Sequence, residues 1–395
     1  MNILHVVKSL HDREGGVPRV ALDLAARCAA YGVTSDVIGF GPYSVADNPL
    51  SPDRIFNLPV SFPARYSYAP QFRGWLRSHL HTYDAVVLHG LWLYPSVTAA
   101  EECSRQGIPY IYFPCGTLEP WAVFGQGWWK ALKKTVYWYL RERKMVDRAL
   151  CVFYQTEREK RLAATVFPVR CPSHVVVPYG VDLNPGKVAR PAGENLLQPE
   201  QARAVLYLGR VDPKKNVLFL IDAWARAKVP APWKLVIAGA GEPGYVRRVR
   251  NKIEKEGVGQ SVELVGHVAP MDKTYLLQRA DWFVLPSKQE NFGVAVVEAI
   301  GHGCAVAISD QVFVGDYLEG AAEIMPLKID SWVEFFGSRM RDVEWRAHVA
   351  ARGREVLRER MSFEVVARDF VMKLHVVLGT RWDKRQEGAA RPSQG

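Results

Sequence analysis

The sequence predicts an α/β protein made of two domains of β/α/β units, and three observations predict it. At 395 residues the chain is too long for one ordinary core and right for two. Short apolar runs containing Val, Ile and Phe recur along it, flanked by polar, Gly or Pro residues. Several lead into segments with apolar residues at helical spacing, and a buried strand feeding a helix is half of a βαβ unit. The series begins again near residue 204, after a stretch at 184–202 that is rich in Pro, Gly and polar residues and reads as a linker.

Bulk numbers narrow the class. Hydrophobic residues make up 48% and charged residues 23%, an ordinary globular composition. The formal net charge of +10 points to an anionic partner, whether nucleotide, anionic lipid or nucleic acid. Six cysteines show no Cys-x-x-Cys pair and no ligand spacing, and read as reduced thiols of a cytoplasmic protein. Met1 to Val7 has no basic region before its short apolar run, so it reads as a first strand rather than a signal peptide. No apolar stretch reaches about 18 residues, so no membrane span is expected.

Ile3 to Val7 is the first buried strand. A polar loop leads to Pro18, which fits the first turn of a helix, and Val17, Val20, Ala21, Leu24 and Cys28 follow at helical spacing. Gly15 and Gly16 therefore sit at a strand-to-helix turn, where glycine lets backbone N–H groups approach a phosphate; a plain tight turn would look the same. Ser35 to Phe40 is a strand, and residues 41–70 read as loops with one short strand. Ala85 to Leu88 ends in HGLWLYPS and Tyr110 to Phe113 ends in PCGTLEPWA. His89, Trp92 and Tyr94 thus fall at carboxyl ends of strands, where aromatic and polar groups suit a sugar or a lipid-linked acceptor, or simply pack the interior.

Gly127 to Asp147 combines six cationic residues with three tryptophans and two tyrosines and reads as one helix. Aromatic rings beside cations suit an anionic lipid surface; the same helix could cover the first sheet with its basic face in water. Ala149 to Tyr154 and His174 to Pro178 complete the strands of this half.

The second half opens with the strand Ala204 to Leu208, which ends in GRVDPKKN. A strand-end loop with Gly209, Arg210 and Lys215 offers two fixed cations to a diphosphate. Lys234 to Gly239 is the next strand. Gly239, Gly241 and Gly244 spell the dinucleotide fingerprint G-x-G-x-x-G, with Glu263 about 20 residues on and a helix over Tyr245 to Glu256. The motif is weak alone, and Pro243 departs from it. Val262 to Val265 ends in Gly266 and His267. Trp282 to Leu285 is a strand buried on both faces; a polar loop over Ser287 to Asn291 leads to Gly293, where a small-residue helix opens. Glu290 precedes that helix and Glu298 lies about 7–8 Å along it. Orphan N–H groups near Phe292 and Gly293 sit between the two acids, an arrangement that suits a diphosphate flanked by hydroxyl groups, or two solvated acids at a helix start. Ala305 to Ser309 and Glu323 to Met325 are the last strands. Ser362 starts a helix whose apolar face is spaced by Phe363, Val366, Phe370, Leu374 and Val377.

Glu290 and Glu298 with seven residues between them after a buried strand, the run CAVAISD, and Gly209-Arg210 with Lys215 together resemble the retaining glycosyltransferases of family 4. The resemblance runs from Gly15 to about Leu378. It implies the GT-B architecture, two Rossmann-like domains facing across a cleft with a C-terminal helix crossing back to the first. The boundaries it suggests are an acceptor-binding domain at 1–183, a linker at 184–203, a nucleotide-sugar-binding domain at 204–361, the crossing helix at 362–379 and a disordered tail at 380–395.

The resemblance also implies roles. Glu298 would bind ribose hydroxyls, Glu290 the donor sugar, and Arg210, Lys215 and the helix start at Asn291, Phe292 and Gly293 the diphosphate. Gly209, Gly266 and His267 would line the donor, and Gly16 would touch donor phosphate or acceptor. Catalytic roles would fall to Arg210, Lys215, Glu290 and, on the acceptor side, His89. Similar enzymes often read Pro-His-Gly where this chain has Pro114-Cys115-Gly116, which leaves the acceptor-side base open. The chain has no Asp-x-Asp motif, so transfer without an obligatory metal or other cofactor is expected. The implied partners are a UDP- or GDP-sugar, a saccharide or polyprenyl-diphosphate-linked acceptor, and an anionic membrane surface through 127–147; no nucleic acid is expected. The implied place is the cytoplasm or the inner face of the membrane. A GT-B-fold epimerase, a nicotinamide oxidoreductase using Gly239, Gly241 and Gly244, and a non-catalytic membrane-associated protein are the other readings.

Overall fold

The computed structural model describes residues 1–11, 16–44, 48–125, 127–183, 186, 188 and 203–379. They divide into two compact units, one of residues 1–180 together with a C-terminal helix (Phe363–Val377), the other of Val181–Ser362. The expected linker at 184–203, apart from residues 186, 188 and 203, and the expected tail at 380–395 lie outside the described residues.

The first unit runs β1 (Asn2–Val6), a two-residue β2 (Leu10–His11), α1 (Gly16–Cys28), β3 (Thr34–Phe40), a two-residue β4 (Tyr43–Ser44), β5 (Ile55–Leu58), α2 (Phe72–His79), β6 (Ala85–His89), α3 (Tyr94–Gln106) and β7 (Tyr110–Phe113). It continues through α4 (Pro120–Phe124), α5 (Trp128–Tyr137), a π-helical turn (Trp138–Glu142), α6 (Arg143–Asp147), β8 (Cys151–Tyr154), α7 (Glu157–Val166) and β9 (His174–Val176). Seven strands form one sheet in the order β5-β3-β1-β6-β7-β8-β9, parallel throughout. Strand alternation sorts the side chains into two layers. Val86, Leu88, Tyr112 and Val152 pack with Phe72 and Leu76 of α2 and Ala99 and Cys103 of α3. Ala85, Val87, Ile111 and Phe153 pack with Leu24 and Cys28 of α1 and Val366, Phe370 and Leu374 of the C-terminal helix.

The 127–147 segment departs from the expected single helix. Its middle is a π turn, and the insertion swings Glu142 inward to accept the Trp92 N–H at 2.7 Å. Glu142 is fully buried, and burial pushes its carboxyl pKa up to about 8, so it is protonated at neutral pH.

The second unit runs β10 (Arg203–Leu208), α8 (Val217–Arg226), β11 (Trp233–Ala238), α9 (Pro243–Lys255), β12 (Val262–Gly266), α10 (Pro270–Arg279), β13 (Trp282–Leu285), α11 (Val294–Gly301), β14 (Ala305–Ser309), β15 (Glu323–Met325), α12 (Ile329–Gly337) and α13 (Val343–Arg360). Its six strands are ordered β12-β11-β10-β13-β14-β15, again all parallel. Val205, Val236, Phe283, Val306 and their neighbours are buried on both faces of this sheet, which is why each strand is a near-continuous apolar run. All six cysteines are free thiols. Among the described residues no helix is long and apolar enough to cross a membrane.

Candidate active site

In the second unit the strand order reverses between β10 and β13. Ligands of open α/β sheets bind beyond the carboxyl ends of the strands at such a switch point, because the two loops there part in opposite directions and leave a crevice. The loop leaving β10 is folded by Asp212. Its Oδ1 accepts the Lys214 and Lys215 N–H groups at 2.9 and 3.1 Å, and the Tyr207 hydroxyl donates to the Arg210 carbonyl at 2.7 Å. The loop leaving β13 is tied to the first by the Lys288 N–H, which donates to the Lys214 carbonyl at 2.8 Å. It is tied on its other side to residues 311–314: the Glu290 N–H donates to the Gln311 carbonyl at 2.9 Å, and the Phe313 and Val314 N–H groups donate to the Glu290 and Phe292 carbonyls at 3.1 and 3.2 Å.

This fixed backbone brings the predicted residues together. The Lys215 ammonium is bonded to the Glu290 carboxylate, with the two side chains only 14% and 19% exposed. Gly293, at φ +91°, turns the pinned loop into α11; a Cβ there would stand 2.9 Å from Val312 Cγ1. Glu298, on α11, pairs with Lys273 of α10 at 2.6 Å. Arg210 stays 71% exposed, 3.5 Å from Asp212. Gly266 and His267 close β12, with His267 exposed. Asn291 is half-buried and Phe292 buried. The site thus offers cations and a helix start to an anion, and two carboxylates to hydroxyl groups. Lys273 and the 311–314 segment were not foreseen; each lies on a separate element with no sequence spacing to the acids.

One first-unit residue needs correction. His89 is not an accessible base. It follows Ala85 and Val87 on the strand face covered by α1 and the C-terminal helix, and is 4% exposed. Its Nε2 lies 3.1 Å from Nδ1 of His5, and its ring stacks on Phe113 with centroids 5.4 Å apart. Burial, then the neighbouring His5, push its pKa well below the usual histidine range, so it is a neutral core group. Cys115 is no substitute. Its thiol meets the Tyr179 hydroxyl and Gln155 Nε2 at 3.5 and 3.7 Å, and burial pushes its pKa up to about 12. The turn is held from below by buried Glu159, whose carboxylate accepts the Gly116 and Gln155 N–H groups at 2.7 and 2.8 Å. Gly16 is the first residue of α1, whereas Gly15 lies outside the described residues.

The G-x-G-x-x-G stretch has a packing explanation. A Cβ on Gly239 would overlap the Gly209 carbonyl oxygen, and one on Gly241 would overlap that of Val211, so both glycines serve the close approach of neighbouring strand ends. The N-terminus of α9 is taken: the Glu242 carboxylate accepts the Gly244 and Tyr245 N–H groups, both at 3.1 Å. A carboxylate seated there repels the pyrophosphate that the fingerprint would bind. Glu263 lies near the start of β12, away from its carboxyl end.

Comparisons with known proteins place the chain in a family. A model described as glycosyl transferase 4-like domain matches residues 15–180, and one described as glycosyl transferases group 1 matches residues 192–323, across the β10 and β13 loops. The chain belongs to the group 1 glycosyltransferases. Among its relatives is the GDP-mannose:cellobiosyl-diphosphopolyprenol alpha-mannosyltransferase of Xanthomonas campestris, 26% identical over 78% of this chain and 79% of that protein. The phosphatidyl-myo-inositol mannosyltransferase of Mycobacterium tuberculosis is 31% identical over 34% of this chain and 35% of its own. In fold, this glycosyltransferase is similar to Anabaena HepE, solved with UDP and glucose, at a TM-score of 0.73 and 18% identity over 95% of this chain and all of that one. Sucrose-phosphate synthase of Thermosynechococcus elongatus gives a TM-score of 0.74 at 18% identity, over 96% and 99% of the two chains. The architecture is GT-B, with a Rossmann-like parallel sheet in each unit.

Proposed function

We propose that this group 1 glycosyltransferase moves a sugar, with retention at the anomeric carbon, from a UDP- or GDP-sugar to a saccharide carried on a polyprenyl diphosphate. The product would enter a bacterial surface polysaccharide or related glycan. The observation that carries the reading is the Lys215–Glu290 pair at the β10/β13 switch point beside the start of α11. In the free protein the pair neutralises itself. A donor would part it, taking the ammonium to its diphosphate and the carboxylate to its sugar hydroxyls. Glu298, steadied by Lys273, would accept from the ribose hydroxyls. The mannosyl transfer to a diphosphopolyprenol named for the Xanthomonas relative supports the acceptor class.

In the transfer, the bond between the sugar C1 and the β-phosphate oxygen breaks and its electron pair goes to the diphosphate. Arg210, Lys215 and the N–H groups at Phe292 and Gly293 stabilise that charge without an obligatory metal. The acceptor oxygen bonds to C1 on the same face, and its proton passes to the departing phosphate oxygen. No carboxylate nucleophile and no histidine base is then required, which accommodates buried His89 and protonated Cys115. An anionic membrane surface would be met by α5, none of whose residues is buried and whose Trp128 and Trp129 are 66% and 61% exposed.

The test follows the slow hydrolysis of α-linked UDP- and GDP-sugars by proton NMR in the presence of a chelator. The free sugar is expected to appear first as the α anomer, before mutarotation. Initial β anomer would exclude retention, loss of turnover in chelator would exclude the metal-free route, and an epimerised sugar would move the assignment to an epimerase.

A further inference from the structure

One half-buried cation of the first unit lacks an anion. Among the described residues no carboxylate bonds the Lys134 ammonium. It donates to the Ala122 carbonyl at 2.6 Å and lies 5.3 Å from the centre of the Trp92 ring. Burial, then the neighbouring Lys130, push its pKa down, which marks a charge held without compensation. Its own helix does not supply any. Helix α5 reads WWKALKKTVY, three lysines and no acid.

Position gives that cation a direction. On one side lies the exposed apolar face of α5: Trp128 and Trp129, stacked with centroids 3.8 Å apart, then Leu132 and Val136. On the other lies Trp92, three residues beyond β6. Trp92 is fixed in a left-handed conformation, φ +73°, by its N–H bond to Glu142 and by its indole N–H, which donates to the Thr117 carbonyl at 3.0 Å. A strained residue clamped from below by a buried acid is an arrangement that marks binding loops. Lys134 therefore stands between a face suited to hydrocarbon and the loop at the carboxyl end of a central strand.

We propose that Lys134, with Lys130 one turn before it, receives the phosphate groups of a polyprenyl diphosphate whose chain leaves along the Trp128–Val136 face and whose saccharide extends toward the loop at Trp92. This rests on the acceptor class given above and assigns its anchoring site.

The test uses full-length protein and three vesicle preparations: phosphatidylcholine alone, phosphatidylcholine with phosphatidylglycerol, and phosphatidylcholine with undecaprenyl diphosphate at the same total surface charge. Binding is read by co-sedimentation. Wild type is expected to prefer the diphosphate vesicles about tenfold over the phosphatidylglycerol ones. Lys134→Ala is expected to remove that preference, and Lys134→Arg to restore part of it. Lys133→Ala, an exposed neighbour of equal charge, is expected to weaken binding to both anionic preparations about fivefold, the effect of one cation at a charged surface, and to keep the preference.

Equal binding of wild type to both anionic preparations would overturn the proposal without any variant, leaving a surface for phospholipid headgroups. Parallel losses for Lys133→Ala and Lys134→Ala would overturn it too. Stabilisation by a donor nucleotide is expected to be unaffected by these changes, so failure here and failure of the donor site are read separately.

Discussion

Replacing Lys215 by alanine is expected to lower kcat/KM for the nucleotide sugar by about a thousandfold, equivalent to about 4 kcal/mol of transition-state stabilisation. The loss should fall mainly in kcat. The diphosphate gains charge as its bond to C1 breaks, and an ammonium fixed beside it interacts more strongly with the departing group than with the bound donor. Lys215 is placed for this by backbone, since Asp212 holds its N–H and Glu290 holds its ammonium. The variant leaves Glu290 partly buried without its partner, so circular dichroism must first show that the protein is folded. Lys215→Arg should recover part of the rate, because it keeps the charge and changes the geometry. Steady-state kinetics with saturating acceptor separates the two constants. An unchanged kcat with a raised KM would mean that Lys215 only binds the donor.

Gly239→Ala is expected to destabilise the second unit by more than about 4 kcal/mol, a large part of the stability of an ordinary domain. Gly239 sits at φ +143°, where a side chain is strained, and its Cβ would overlap the Gly209 carbonyl. Neither backbone can retreat: the Gly209 N–H donates to the Ala238 carbonyl at 3.0 Å, and the Gly239 N–H to the Gly266 carbonyl at 2.6 Å. Urea unfolding followed by far-UV circular dichroism measures the loss. A glycine kept for dinucleotide binding would behave otherwise, with the variant folding normally and losing only affinity for NAD.

These two positions show what was legible in the chain. Lys215 could be found because Gly209-Arg210 and Lys215 follow a buried strand in a pattern that resembles a known family. Gly239 belongs to a pattern with two physical origins, phosphate binding and close strand packing, and only the neighbouring carbonyls tell them apart. Strands such as Trp282–Leu285 and Ala305–Ser309 were legible to the residue, because burial on both faces leaves no choice but an apolar run. The π turn at Trp138–Glu142 was not, since its cause is a hydrogen bond from Trp92, fifty residues upstream. Lys273 was hidden for the same reason: it meets Glu298 from another helix. His89 misled because a histidine at a strand end reads as exposed, whereas strand alternation turns it into the layer beneath α1 and the C-terminal helix (Phe363–Val377).

The central claim is that the β10 and β13 loops hold a nucleotide-diphospho-sugar. The most direct measurement is thermal stabilisation of wild type and Glu298→Ala by UDP-, GDP- and ADP-sugars and by NAD, in chelator, since a ligand that binds the native state raises its melting temperature by mass action. One nucleotide sugar is expected to raise the Tm of wild type and to leave that of the variant unchanged, with no shift from NAD. Stabilisation by NAD alone, equal in wild type and variant, would contradict the account and return the function to the glycines at 239, 241 and 244.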